Sequence, residues 1–194
     1  MILRLLKIFK SAKILRQLKH STTLSGKACL LELRKKYSKY TSINDAEFKV
    51  FSQNGEDGII DFLLDGLSIR SAKYIEIGTE DYSEANTRFL YESSNANGLI
   101  IDDSLDLKIL SNEINLWKGR IIAVKEKVKP ENIISILKKN NFLNNIDLFS
   151  LDIDGVDYWI IKELPKKISK IFVAEFNPVF GPDLEITTPN IENF

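Results

Sequence analysis

The chain has 194 residues, 27 basic and 27 acidic side chains, and one each of His, Cys and Met, which suits one ordinary α/β domain and leaves too little for two. With His20 and Cys29 the sole members of their types, an internal disulfide, a thiolate metal cluster, His-ligated zinc and Ser-His-Asp or Cys-His catalysis are excluded within these residues. Charge is divided rather than absent: residues 1–40 hold eleven Lys or Arg and one acid, Glu32, a balance of +10 that leaves −10 on the rest, so the acidic body disfavours nucleic acid and the basic leader suits a membrane surface or an acidic partner.

In the leader, Arg4, Lys7, Lys10, Lys13, Arg16 and Lys19 recur at every third position. On a helix this moves the charge round by about 60° per step, so no single face stays apolar. An unbroken apolar run of ~20 residues is absent, which argues against a transmembrane span, and a charge in every turn breaks the core of a cleaved signal peptide. A cytoplasmic protein is expected, with residues 1–20 available to a membrane surface through snorkelling Lys and Arg. Residues 28–40 read as a second helix and residues 41–45 break it, giving a basic helical extension over 1–45, an α/β domain over 46–183 and an irregular tail over 184–194.

The body opens with a polar, glycine-containing stretch, Ser52-Gln53-Asn54-Gly55-Glu56-Asp57-Gly58, ahead of an apolar helix over 59–67. Asn54 and Asp57 suit helix capping, whereas Gln53 and Glu56 are harder to explain by capping alone. Residues 74–78, Tyr-Ile-Glu-Ile-Gly, predict a buried strand ending on a glycine, and a helix is expected from Glu84. Such strand-to-helix turns hold anionic groups, because the glycine lets a ligand approach the backbone and the next helix offers free N–H groups.

Asn97-Gly98 reads as a turn, followed by a strand at Leu99-Ile100-Ile101 that ends on Asp102. That acid lies 24 residues after Gly78, near the ~20-residue spacing at which open α/β sheets place a carboxylate on a ribose diol. Asp103 or Ser104 would cap a helix over 106–117. Further strands are predicted over 120–124, 146–151 and 171–174, with helices over 130–140 and 157–164 between and after them. The β-α alternation predicts a three-layer, Rossmann-like, mostly parallel sheet. Its strands end on acids, so Glu76, Asp102, Asp152, Asp154 and Glu175 should converge on one rim, where such folds bind ligands.

Asp152-Ile153-Asp154-Gly155 after an apolar strand also resembles the first motif of haloacid dehalogenase-type phosphatases and the DxD metal site of nucleotide-sugar glycosyltransferases. Both families need a long stretch of core after the motif, and forty residues follow Asp154.

Taken together, SQNGEDGII from Ser52, EIGTEDYSEANTRFL from Glu76, GLIID from Gly98, ENI at Glu131, SLDIDGVDYW from Ser150 and EFNPVFGP from Glu175 resemble a bacterial branch of the FkbM-like class I S-adenosylmethionine-dependent methyltransferases over residues 50–183. The resemblance implies methyl transfer from S-adenosylmethionine to an oxygen or nitrogen acceptor, a small molecule or glycan such as a sugar. It places Glu76, Gly78, Thr79, Asp81, Asn86 and Asp102 around the cofactor, with Gly78 at its methionine part and Asp102 at its ribose. Asp152 and Asp154 would face the reacting methyl, Asp152 as base, with Gln53, Glu56, Asp57, Glu175 and Asn177 as further site candidates. Asp152, Asp154 and Asn177 also form a candidate Mg²⁺ set, since hard cations favour oxygen ligands.

Two departures from the family pattern carry expectations of their own. Relatives often have glycines where this chain has Glu80 and Tyr82; a left-handed non-glycine residue costs about 1–2 kcal/mol, so the loop should take another path and use Asn86 or Thr87 as a donor. Relatives also add two strands after the fifth, for which residues 179–194 leave no room. The edge of the sheet would then be open to a partner or a second copy, and a non-catalytic, membrane-peripheral or partner-binding protein is the alternative on the same fold.

Overall fold

The computed structural model describes residues 2–114, 119–153, 155–176, 179, 181 and 183–190, with side chains from residue 14 onward apart from residues 15 and 16. Each predicted apolar run becomes a strand: β1 (Lys73–Ile77), β2 (Asn97–Asp102), β3 (Ile121–Lys125), β4 (Ile146–Leu151) and β5 (Ser169–Ala174). All neighbours are parallel, in the order β3-β2-β1-β4-β5. Parallel strands need crossover helices, and helices on both faces demand strands that are apolar on both sides.

Alternation along the strands sorts the core into two layers. Tyr74, Ile100 and Leu148 point to one face, packing with Ile60 and Leu64 of α2 (Glu56–Gly66), Leu90 of α3 (Arg88–Ser93) and Leu110 of α4 (Leu107–Glu113). Ile75, Ile77, Leu99, Ile101, Phe149 and Leu151 point to the other, against Ile133, Ile136 and Leu137 of α5 (Ile133–Lys139) and Ile160 of α6 (Asp157–Glu163). Most of these strand side chains are fully buried, and each is worth about 1.5–3 kcal/mol. The expected three-layer α/β sheet is therefore the observed one.

The leader departs from expectation. Residues 28–40 are not a separate helix: α1 runs without a break over Ile2–Arg34, and a short 3₁₀ turn follows at Tyr37–Lys39. The Ser-Thr-Thr-Leu-Ser-Gly stretch ahead of residue 28 continues the helix. Thr22 and Thr23 donate their hydroxyls to the carbonyls of Leu18 (3.0 Å) and Lys19 (3.1 Å), four residues back. Gly26 stays helical because it lies under Val50 and Phe89, where an added Cβ would meet Val50 at 2.9 Å. Arg34 then donates to both oxygens of Asp61 on α2, and Leu30 is buried.

Gly98 is not in a turn either. It belongs to β2 beside Tyr74 of β1, where a Cβ would sit 2.1 Å from the Tyr74 ring. Glycine is there to make room for a buried aromatic across the ladder. The helix expected from Glu84 begins at Arg88, and α4 begins one residue after Asp106, whose carboxylate accepts from the N–H groups of Lys108 and Ile109. Asp106, rather than Asp103 or Ser104, is thus the cap.

Candidate functional site

Strand order places the switch point between β1 and β4, since the chain runs outward from β1 to β3 and then returns to the other side. At their C-terminal ends the two strands nearly touch. Asp152 donates its N–H to the carbonyl of Ile77 (3.1 Å), and Gly78 donates to Ile101 of β2 (3.1 Å). Gly78 has φ +83°, and a Cβ on it would lie 1.6 Å from the carbonyl oxygen of Asp152. Only glycine satisfies both the conformation and the space.

The loop after Gly78 contradicts the path expected from its non-glycine residues. Glu80 (φ 46°) and Tyr82 (φ 64°) both adopt the left-handed conformation that glycines would favour. Each costs about 1–2 kcal/mol, and each is compensated by a specific contact. Glu80 donates its N–H to Oδ2 of Asp102 (2.8 Å), a bond to a charged acceptor worth about 1.5–3 kcal/mol. Tyr82 is fully buried, with its hydroxyl between those of Tyr74 (3.1 Å) and Thr87 (2.8 Å), and burying an aromatic side chain offsets strain of that size.

Glu76 holds the far end of the loop. Its carboxylate accepts from the N–H of Asn86 (2.8 Å), the N–H of Thr87 (3.0 Å) and the Thr87 hydroxyl. The two donors expected to serve a ligand thus face inward, while the Asn86 side chain reaches Ser150 of β4 (3.1 Å). Capture of these two N–H groups accounts for α3 starting at Arg88. Burial pushes the Glu76 carboxyl up to about 7, against the opposing pull of the Thr87 and Asn86 hydrogen bonds.

Because the neutral form is favoured in the fold, the native state keeps a proton that the unfolded chain releases near its ordinary value of 4.5. Stability from this group is therefore greatest at acid pH and falls as pH rises to about 7. Measured by urea unfolding, the wild type should lose on the order of 3 kcal/mol relative to the non-titrating Glu76→Gln variant as the pH crosses that window.

Asp57 works in the same manner one layer out. Its Oδ2 accepts from the N–H groups of Val50 (2.7 Å), Phe51 (2.7 Å) and Ser52 (3.0 Å), and its own N–H donates to the Ser52 hydroxyl (3.1 Å). This reciprocal pair stitches the 50–52 segment to the start of α2, and Gly55 (φ +102°), not Asn54, occupies the N-cap. Burial raises the Asp57 carboxyl, with the backbone donors of Ser52, Phe51 and Val50 pulling it back.

Above these supports lies a cavity of about 1090 Å³ along the strand ends. It brings together Gln53, Glu56, Glu76, Gly78, Thr79, Asn86, Asp102, Asp152 and Glu175 from the expected site. Asp57 sits beneath it and Asp81, which accepts from the N–H of Ser83 (2.8 Å), beside it; neither lines the cavity. Asp154 and Asn177 lie outside the described residues. Two of the three expected Mg²⁺ ligands are therefore among those not described, and among the described residues no cluster of three or more His, Cys, Asp or Glu is placed to hold a metal.

Asp102 faces both ways. Its Oδ1 accepts from the N–H (2.7 Å) and hydroxyl (2.6 Å) of Ser104, while Oδ2 holds Glu80, so one carboxylate joins the tips of β1 and β2 at the cavity edge. Ten acidic side chains and two lysines, Lys127 and Lys129, line the cavity, which gives it a negative potential. Thr79, also in the lining, has a hydroxyl that is buried without a hydrogen-bond partner among the described residues.

Sequence reasoning missed the loop after β3, where Glu126 and Lys127 join the lining, although the strand-end rule that selected Asp102 applies there equally. It also missed Asp157, which accepts from the N–H groups of Ile153 (3.1 Å) and Gly155 (3.2 Å) and shapes the turn after β4. The tail folds back over that turn: Trp159 donates to the carbonyl of Thr188 (2.8 Å), the Thr188 hydroxyl meets the carbonyl of Gly155, and Asn190 reaches the cavity.

No protein-family model, curated protein or solved structure matches the chain. The functional reading rests on the site itself.

Proposed function

We propose that this domain binds S-adenosylmethionine at the β1–β2–β4 rim and transfers its methyl group to an oxygen or nitrogen acceptor. The observation that carries the reading is the acid-lined cavity at the switch point, with Gly78 and Asp102 in its lining. At about 1090 Å³ it slightly exceeds the ~300–1,000 Å³ typical of ligand sites, room for a nucleoside-sized molecule and a small acceptor together. The residues present fit the cofactor's chemistry: a ribose diol pairs with a strand-end carboxylate, and a sulfonium cation is favoured among carboxylates.

When bound, the cofactor supplies an electrophilic methyl on a positively charged sulfur. The protein's share of the work is alignment, holding the nucleophile in line with that methyl, and removal of the acceptor's proton by a nearby base. Asp152 is assigned the base role, because it lines the cavity at the end of β4, at the switch point. Glu76 is assigned to shaping the loop, its carboxylate being occupied by Asn86 and Thr87.

Calorimetric titration with S-adenosylmethionine tests this. The wild type should give saturable heat, and Asp102→Ala should weaken binding by about 1.5–3 kcal/mol, roughly 10- to 150-fold. Asp102→Asn, which keeps an acceptor for the Glu80 N–H, should fall between the two. A wild-type chain that unfolds cooperatively yet gives no heat would remove the proposal.

A further inference from the structure

The sides of α1 are arranged in the reverse of an ordinary surface helix. Facing the body, Lys19 pairs with Glu113, Arg34 pairs with Asp61, Gly26 sits under Val50 and Phe89, and Leu30 is buried. At 100° per residue, Ile14, Leu18, Ser21, Leu24, Ala28 and Leu31 fall on the opposite side, and all six are exposed. Ile14 is 50%, Leu18 58%, Leu24 53% and Leu31 60% accessible. The charge on this outward stretch is Glu32, already paired with Lys35 at 2.6 Å.

Nothing in the helix's own packing calls for four large apolar side chains on the solvent side. Immediately before them in sequence come Arg4, Lys7, Lys10 and Lys13, in a segment whose balance over residues 1–40 is +10.

We propose that the outward face of α1 docks on an anionic lipid bilayer, with the helix lying in the plane of the interface. Charge selects this occupant. A bilayer carrying anionic headgroups attracts the cations of residues 1–13 and admits the leucines to the acyl boundary. Among the described residues no helix is long and apolar enough to cross a membrane, so the attachment is on the surface. Ile14 to Leu31 spans about 25 Å of helix, long enough for several side chains to insert along one line. The inference stands apart from the methyltransferase proposal, since none of these residues lines the rim cavity.

Vesicle co-sedimentation of the full chain tests it. Binding is expected to vesicles of phosphatidylcholine with phosphatidylglycerol, to weaken as salt is raised, and to be slight with phosphatidylcholine alone. The variant Leu18→Glu/Leu24→Glu alters exposed positions, so its cooperative melting should match the wild type, while its vesicle binding should fall at least about tenfold. Absent binding, equal binding to both vesicle types, or undiminished binding of the folded variant would each overturn the proposal. So would concentration-dependent self-association, lost in the variant, in a wild type that ignores vesicles.

Discussion

Gly78→Ala is expected to lower stability by about 4 kcal/mol or more, a large effect for one methyl group. The added carbon would sit 1.6 Å from the Asp152 carbonyl oxygen and 2.6 Å from its carbonyl carbon, both backbone atoms of the adjacent strand end. A side chain could rotate away; a strand cannot. Relief requires β1 and β4 to separate, at the cost of the Asp152 to Ile77 bond, and the left-handed φ of +83° adds about 1–2 kcal/mol of its own. Gly66→Ala is the matched control. An added carbon there meets nothing within 4 Å, at the last helical position of α2, so this substitution should stabilise by roughly 0.5–1 kcal/mol through helix propensity. Urea unfolding of the two variants should therefore move in opposite directions from the wild type.

Arg88→Met should cost about 3–5 kcal/mol, the range for breaking a buried ion pair from one side. Arg88 is 2% exposed. Its guanidinium donates to the carbonyls of Tyr82 (2.8 Å) and Glu113 (2.6 Å), lies 3.5 Å from Glu92 and 3.6 Å from Glu113 carboxylate oxygens, and stacks 4.8 Å over the Phe51 ring. Methionine fills much of the volume but abandons two carbonyls and two poorly hydrated carboxylates, of which Glu113 keeps Lys19. In a chain of this length the loss corresponds to a fall in Tm of roughly 6–20 °C. Adding Glu92→Gln to Arg88→Met should recover part of it, because the carboxylate that Arg88 alone pairs among the described residues is then neutral. Recovery would separate electrostatic cost from lost packing, which the second substitution leaves unchanged.

The same residues show where sequence is a sufficient guide. Apolar runs of strand length ending in acids are legible because burial on both faces and a polar rim leave opposite compositional marks, and all five strands follow from them. Position along a strand also assigns Glu76, Asp102 and Asp152 to one end of the sheet. What a carboxylate does at that end is not legible. Glu76 sits in such a run yet turns back to hold the N–H groups of its own loop, and Asp57, in the first turn of α2, does the same for residues 50–52.

Glycine misleads for a related reason. Gly98 and Gly78 both look like turn residues, but one clears space for the Tyr74 ring and the other for a neighbouring strand. Those neighbours, 24 and 74 residues away in sequence, cannot be seen from local composition. The left-handed Glu80 and Tyr82 fall in the same class: local strain argues against their conformation, and contacts with Asp102 and Thr87 outweigh it.

Amide chemical-shift mapping of the full chain during titration with S-adenosylmethionine tests the central claim most directly. Saturable shifts at Gly78, Thr79, Glu80, Ser104 and Asp152 are predicted, with α1 unaffected. A folded chain whose spectrum shows no saturable change, or one whose shifts gather away from the strand ends, would contradict the assignment of this rim as the cofactor site.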